Sequence, residues 1–304
     1  MKFNNAHMKF CGACILISFA TTCLISILLT ASPESCDCSS SPRTAQQIHL
    51  DKNDVSNSNA NKPKLAILVP FRDRFDELLQ FAPHMTAFLN QQSIPHHIFV
   101  LNQVDRYRFN RASLINVGFV YTKNDHDYIA MHDVDLLPLN NQLHYEYPKD
   151  GPFHVAAPDL HPKYHYNTFV GGILLVKREH FELMNGMSNR YWGWGLEDDE
   201  FYVRIKDAKL PVVRPINITT GINNTFAHIH DRAHRKRDTA KCFNQREVTR
   251  KRDRETGLSS LNYRISSINK LRIDDVVNVT IVNIQLICNH QETPWCDCSN
   301  EKKL

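Results

Sequence analysis

The hydrophobic and polar positions of this chain fall into blocks whose period changes along its length. Leu65 to Val69 is a short apolar run closed by Pro70, which predicts a buried strand. Phe75 to Asn90 follows with Leu78, Leu79, Met85 and Phe88 at helical spacing, with Pro83 as a place for a kink. His97 to Leu101 predicts a second strand, Asn110 caps a helix through Leu114, Ile115 and Phe119, and Tyr128 to His132 predicts a third strand. This βαβαβ order implies a right-handed, mostly parallel sheet flanked by helices, with ligands at the carboxyl ends of its strands. Farther on, Phe169 to Val176 reads as a strand entered through Gly171 and Gly172, where a ligand can approach the backbone closely. A helix opens at Glu197 with Phe201, Ile205 and Ala208 on one face, and Val276 to Val282 and Ile284 to Ile287 predict late strands.

The amino terminus follows a different pattern. Phe10 to Ala31 are 22 uncharged, mostly apolar residues, enough to cross a bilayer. Lys2 and Lys9 precede the run and Glu34 and Asp37 follow it, which predicts a basic cytoplasmic end and a lumenal body. A cleaved signal peptide, processed near Thr30-Ala31-Ser32, is the alternative. The run exceeds a usual signal core, so the expectation is a tail at 1–9, an uncleaved anchor at 10–31, a flexible Ser, Asn and Pro-rich stem at 32–62 and a folded body at 63–304. Sequons at Asn217, Asn223 and Asn278 fit lumenal exposure.

Composition narrows the function. With 304 residues, 42% of them hydrophobic, the chain can bury a large core. A formal charge of +4 is too mild to argue for nucleic acid. The ten Lys or Arg residues between Arg232 and Arg254 therefore read as a solvated face or as a means of steering an anionic sugar nucleotide. Of nine cysteines, four lie in the body. Cys288, Cys296 and Cys298 lack a fourth ligand at zinc-site spacing, so a lumenal disulfide closing Cys288 to Cys296 is the expectation, and the pairing of Cys242 and Cys298 stays open.

Several short stretches carry chemistry. Pro70-Phe71-Arg72-Asp73-Arg74 follows the first strand, where guanidinium groups can meet a diphosphate and Phe71 can stack on a base. Asp133-Val134-Asp135 follows the third strand and can hold a divalent cation and a ribose hydroxyl. No Gly-x-Gly-x-x-Gly follows the first strand and there is no Gly-Lys-Ser/Thr phosphate loop, so side chains and metal must hold a diphosphate. His228 and His230 sit two apart on an extended segment, so both rings can reach one metal, with Asp135 as a third donor if the loops converge; such a set suits Mn²⁺. In Tyr191 to Phe201, two glycines alternate with Trp192 and Trp194 ahead of four consecutive acids. The glycines allow a lid, the indoles offer a face to a sugar ring, and crowded carboxylates raise one another's pKa. A metal-dependent hydrolase and a non-catalytic glycan-binding protein are the rival readings.

These stretches, together with Phe109 to Ala112 and Asn116 to Phe119, resemble the β-1,4-galactosyltransferases in order from about Lys64 onward. His228-Ile-His230-Asp231, Leu101 to Val104, Tyr164-His-Tyr166, Gly186 to Asn189 and Pro294 to Cys296 resemble the branch of that family acting on xylosylated proteins. The resemblance implies a type II Golgi membrane enzyme of GT-A fold using UDP-galactose and Mn²⁺ to extend xylose on proteoglycan core proteins. Carried onto this sequence, it implies that Asp135, His228 and His230 hold the metal, and that Pro70, Phe71, Arg72, Arg74, Phe109, Arg111, Asp133 and Val134 line the nucleotide site. Trp194, Glu197, Asp198 and Asp199 would meet the sugars, Tyr164 and Tyr166 would lie on the acceptor side, and Asp198 would be the base. Phe169 stands where the family usually has a tyrosine whose hydroxyl helps exclude N-acetylated donors, which implies a looser choice of donor.

Overall fold

The computed structural model describes residues 62–299, apart from 232, 234 and 275. The expected anchor and nearly all of the stem lie outside the described residues, among which no helix is long and apolar enough to cross a membrane. The chain runs through β1 (Leu65–Phe71), α1 (Phe75–Gln91), β2 (His96–Gln103), α2 (Arg111–Thr122) and β3 (Tyr128–His132), the predicted βαβαβ unit. There follow β4 (Leu136–Pro138), β5 (Phe153–His154), β6 (Ile173–Lys177), α3 (Arg178–Leu183), α4 (Glu197–Asp207), β7 (Phe226–His228), α5 (Gln245–Val248), β8 (Tyr263–Ile273) and β9 (Val277–Leu286).

Seven strands form one sheet in the order β5-β6-β3-β1-β2-β9-β8. Its centre, β3-β1-β2-β9, is parallel, while β6, β5 and β8 join antiparallel. Strand alternation divides the core. Leu65, Ile67, Val69 and Phe71 of β1 pack with Leu78, Phe81 and Met85 of α1 on one face. Ala66 and Leu68 pack with Leu114, Ile115 and Phe119 of α2, and with Phe201 and Ile205 of α4, on the other. Phe81 and Phe119 are almost wholly buried, each contributing roughly 1.5–3 kcal/mol.

Helix α1 passes through Pro83 and continues to Gln91. The two late strands are one, β9, and its hairpin partner β8 was not anticipated: seven of its eleven positions are exposed, so its apolar alternation is weak. The predicted Cys288–Cys296 disulfide is present, and a second bridge joins Cys242 to Cys298.

Candidate active site

Strand β1 lies between β2 and β3, so the chain steps one way from β1 to β2 and then back past β1 to β3, and a cleft lies at the carboxyl ends of β1 and β3. The cleft holds about 970 Å³. Pro70, Arg72, Arg74, Phe109, Arg111, Asp133, Val134 and Asp135 line it from the sheet side. Tyr164, Tyr166, Trp194, Glu197, Asp198, Asp199, His228 and His230 line it as well.

Phe71 is the exception and corrects the reading of it as a base-stacking group. It shares its face of β1 with Val69 and is packed into the core beneath α1, because side chains two apart on a strand point the same way. Arg72 also has prior commitments. Its three guanidinium nitrogens donate to the carbonyls of Gln103, Tyr107 and Asp105 at 3.2, 2.7 and 3.0 Å, so it braces the cleft wall under Phe109.

The acids converge around one cation. Asn110 caps α2 by accepting from the Ser113 amide at 2.9 Å, which sets Arg111 as the first helical residue. Arg111 Nε donates to Asp133 at 2.9 Å and Nη1 to Asp198 at 3.0 Å. Its Nη2, buried within the cleft wall, makes no hydrogen bond to a described residue. Burial opposes the guanidinium charge, but Asp133, Asp198 and Glu197 outweigh it and hold the group protonated. Burial pushes the Asp198 carboxyl up to about 7, Glu197, Asp133 and Asp199 add to the rise, and Arg111 opposes it. Glu197 is raised too, by burial first, against Arg111. Burial and the neighbouring Asp199 carboxylate raise the Tyr166 phenol, keeping its proton available for donation.

A short ribbon sets the candidate metal ligands. β4 and β7 pair antiparallel with Leu136 opposite His228, and the Ile229 amide donates to the Asp135 carbonyl at 2.9 Å. That pairing places His230 Nδ1 3.0 Å from Asp135 Oδ2, with the two imidazoles 5.6 Å apart. Burial lowers His228 to about 4, helped by Lys163 and His230. Burial also lowers His230, Asp135 opposing, so both rings are neutral near pH 7 with nitrogen lone pairs to give. One carboxylate and two neutral imidazoles are a donor set that fits Mn²⁺. The His228 nitrogens currently face the Lys163 ammonium at 2.9 and 3.2 Å. Among the described residues, three donor atoms close to within 4.8 Å only at Cys288, His290 and Cys296, where the disulfide has consumed both thiols.

The Trp loop is held by residues that local sequence did not single out. Arg108 is the hub: it pairs with Asp238 at 2.6 and 3.0 Å, donates to Gln245 Oε1 at 2.8 Å, and reaches the Trp295 and Ala240 carbonyls at 3.0 and 2.7 Å. Gly193 packs against this guanidinium with φ of 78°, leaving no room for a Cβ. Trp194 donates its amide to the Asp238 carbonyl at 2.8 Å and accepts at its own carbonyl from Lys241 at 3.0 Å. The Arg237 guanidinium lies 4.9 Å from the Trp194 ring centre and donates to the Tyr164 hydroxyl at 2.5 Å. His161 accepts from the amides of Lys163 and Tyr164 at 3.0 and 3.1 Å and so fixes the tyrosine turn. Phe169 sits beneath that turn, 5.0 Å from Tyr164 and 5.5 Å from Tyr166. Part of the basic run therefore lines the cleft, an arrangement signalled in the sequence only by its proximity to His230.

Comparison with known proteins agrees with this site. Residues 151–229 match a family model described as the N-terminal domain of galactosyltransferase, and residues 31–148 match the N-terminal region of glycosyl transferase group 7. The chain is 69% identical over 241 residues to beta-1,4-galactosyltransferase 7 of Drosophila melanogaster, spanning 79% of this chain and 74% of that protein. It is 58% identical over 236 residues to the Homo sapiens protein of the same name, spanning 78% of this chain and 72% of that one. Xylosylprotein 4-beta-galactosyltransferase of Caenorhabditis elegans is 49% identical over 240 residues, 77% of this chain and 82% of that protein. The crystal structure of the Drosophila catalytic domain with xylobiose superposes with a TM-score of 0.77 at 69% identity, covering 78% of this chain and 100% of that one. A mutant of the same enzyme, solved with manganese, UDP-Gal and xylobiose, matches equally well.

Proposed function

The chain belongs to the β-1,4-galactosyltransferase family, and from that premise we propose that it transfers galactose from UDP-galactose to the 4-hydroxyl of xylose on proteoglycan core proteins. This would be the second step of the glycosaminoglycan linkage tetrasaccharide. The names of its relatives and the xylobiose and UDP-Gal bound by the Drosophila enzyme support the substrates. The observation that carries the chemistry is Asp198, a carboxylate pushed into the range of a general base, held by Arg111 and facing the same cleft as Trp194.

In this reading Asp198 takes the proton of the xylose 4-hydroxyl as that oxygen attacks the anomeric carbon from the face opposite UDP. A single displacement inverts α to β. Arg74 and Arg111 lie along the nucleotide wall and set positive charge against the leaving diphosphate. Asp135, His228 and His230 would hold Mn²⁺, which when bound supplies further positive charge there. Trp194 and Tyr164, bridged by Arg237, offer flat faces to the acceptor ring. The Trp loop acts as a lid that completes the acceptor site after the donor binds.

We place the protein in the Golgi membrane as a single-pass type II protein, with the body in the lumen. The 22-residue apolar run, the exposed sequon asparagines Asn217, Asn223 and Asn278, and the two disulfides support this. The deciding assay incubates the full chain in detergent with a β-xyloside, UDP-galactose and Mn²⁺, and reads product mass and linkage. A metal-dependent β-1,4-galactosyl-xyloside is expected. Transfer to N-acetylglucosamine in its place would overturn the branch, and transfer to neither would overturn the activity. Calorimetric binding of xyloside that is equally tight without UDP and Mn²⁺ would remove the lid from the scheme.

A further inference from the structure

We infer that the rim of the cleft beyond Trp194 reads acidic side chains of the acceptor polypeptide, through the exposed cations of Lys236, Arg246 and Arg250. The inference rests on the proposed transfer to a protein-bound sugar. All three residues border the cleft and are exposed, and none forms an ion pair with a described residue. The acids beside them are already committed: Glu247 pairs with Lys251 at 2.9 Å and Asp238 with Arg108 at 2.6 Å. Inside the cleft the carboxylates from Asp133 to Asp199 gather around the paired cation of Arg111, whereas the three cations at this edge have no acid partner among the described residues.

The edge belongs to the acceptor side. Gln245, which immediately precedes Arg246, donates to the Trp192 carbonyl at 2.8 Å, and the Tyr191 hydroxyl donates to the carbonyl of Thr249 at 3.2 Å. Arg246 and Arg250 are therefore carried on a segment bonded to the Trp loop, whereas Arg74 and Arg111 stand on the sheet wall assigned to the nucleotide. In a pyranose, C1 lies across the ring from C4. With the 4-hydroxyl at Asp198, the atom bearing the peptide points away from the base and out of the cleft, where a chain leaving past Trp194 meets this rim. Exposed charge pairs are individually weak and screened by salt, so they set preference and on-rate rather than chemistry.

The test uses two fluorescent xylosyl-serine peptides, one with four Asp or Glu among its flanking residues and one with Asn or Gln at those places. Binding to the full chain with UDP and Mn²⁺ is followed by anisotropy at low and at physiological salt. The acidic peptide should bind about fivefold more tightly at low salt. In R246Q/R250Q that ratio should fall to near one, while kcat on a small β-xyloside and KM for UDP-galactose hold within twofold. A preference that survives in the double variant, its absence in the wild type, or a loss confined to UDP-galactose KM overturns the inference. Tighter capture of a sulfated oligosaccharide than of the acidic peptide, with the same dependence on the two arginines, overturns it in favour of a glycan partner. If the wild type galactosylates no xyloside, the proposed reaction falls, yet an acidic preference abolished in R246Q/R250Q would still uphold the rim.

Discussion

At the scale of single residues, Asp198 concentrates the consequences. Its carboxyl is pushed to about 7 chiefly by burial, so the base is fully ionised only above that pH. With Mn²⁺ saturating, kcat/KM should rise with pH through about 7 and level off above it, a profile readable with a soluble xyloside. Arg111 opposes the shift, so Arg111→Gln should move this limb to higher pH as well as weaken donor binding. Asp198→Asn keeps the shape and removes the base. A loss of about 10²–10⁴-fold in kcat is expected, with the melting temperature unchanged. Activity within a few-fold of wild type would sink the assignment. The candidacy of Asp198 was legible in the run Glu197 to Glu200, but its grip by Arg111 was not, since 87 residues separate the partners.

At the scale of elements, the ribbon of β4 and β7 and the Trp loop show how backbone sets chemistry. Asp135 and His230 are 95 positions apart and meet because two three-residue strands pair. Ile229→Pro removes the amide that bonds the Asp135 carbonyl. Mn²⁺ affinity, read from the metal dependence of activity, should fall about tenfold, the size seen when support around a metal ligand is lost. In the Trp loop, Gly193 has a positive φ and Arg108 against its Cα, while Gly195 has a positive φ and open space. Gly193→Ala should therefore raise the acceptor KM more than Gly195→Ala does, with KM for UDP-galactose little changed in both. Equal effects would mean that strain in the glycine backbone, and not the seat against Arg108, governs Trp194.

At the scale of the whole molecule, one disulfide fastens the carboxyl-terminal segment to the basic loop and a second closes a short loop within that segment. Cys242–Cys298 spans 56 residues and Cys288–Cys296 spans 8. By loop-closure entropy the longer bridge is worth about 4 kcal/mol and the shorter roughly 2.6 kcal/mol. Paired alanine substitutions at Cys242 and Cys298 should thus lower the urea midpoint more than those at Cys288 and Cys296. The longer bridge also anchors the segment that carries Gln245 to the Trp loop, so its loss should raise the acceptor KM. What sequence alone determined is whatever depends on neighbours in the chain: the βαβαβ order from periodicity, the Asn110 cap, the acids opening α4, and the aspartates at the tip of β3. These follow from local sterics, hydrogen bonding and apolar alternation, which act over a few residues. Only the tertiary structure decided that Phe71 faces the core and that Arg72 braces a wall. It alone brought Arg108 and Arg237 from distant segments to hold Trp194, and paired β8 with β9. Each of those outcomes depends on which faces and segments meet after packing, and burial, distance and the pairing of charge are properties of that meeting.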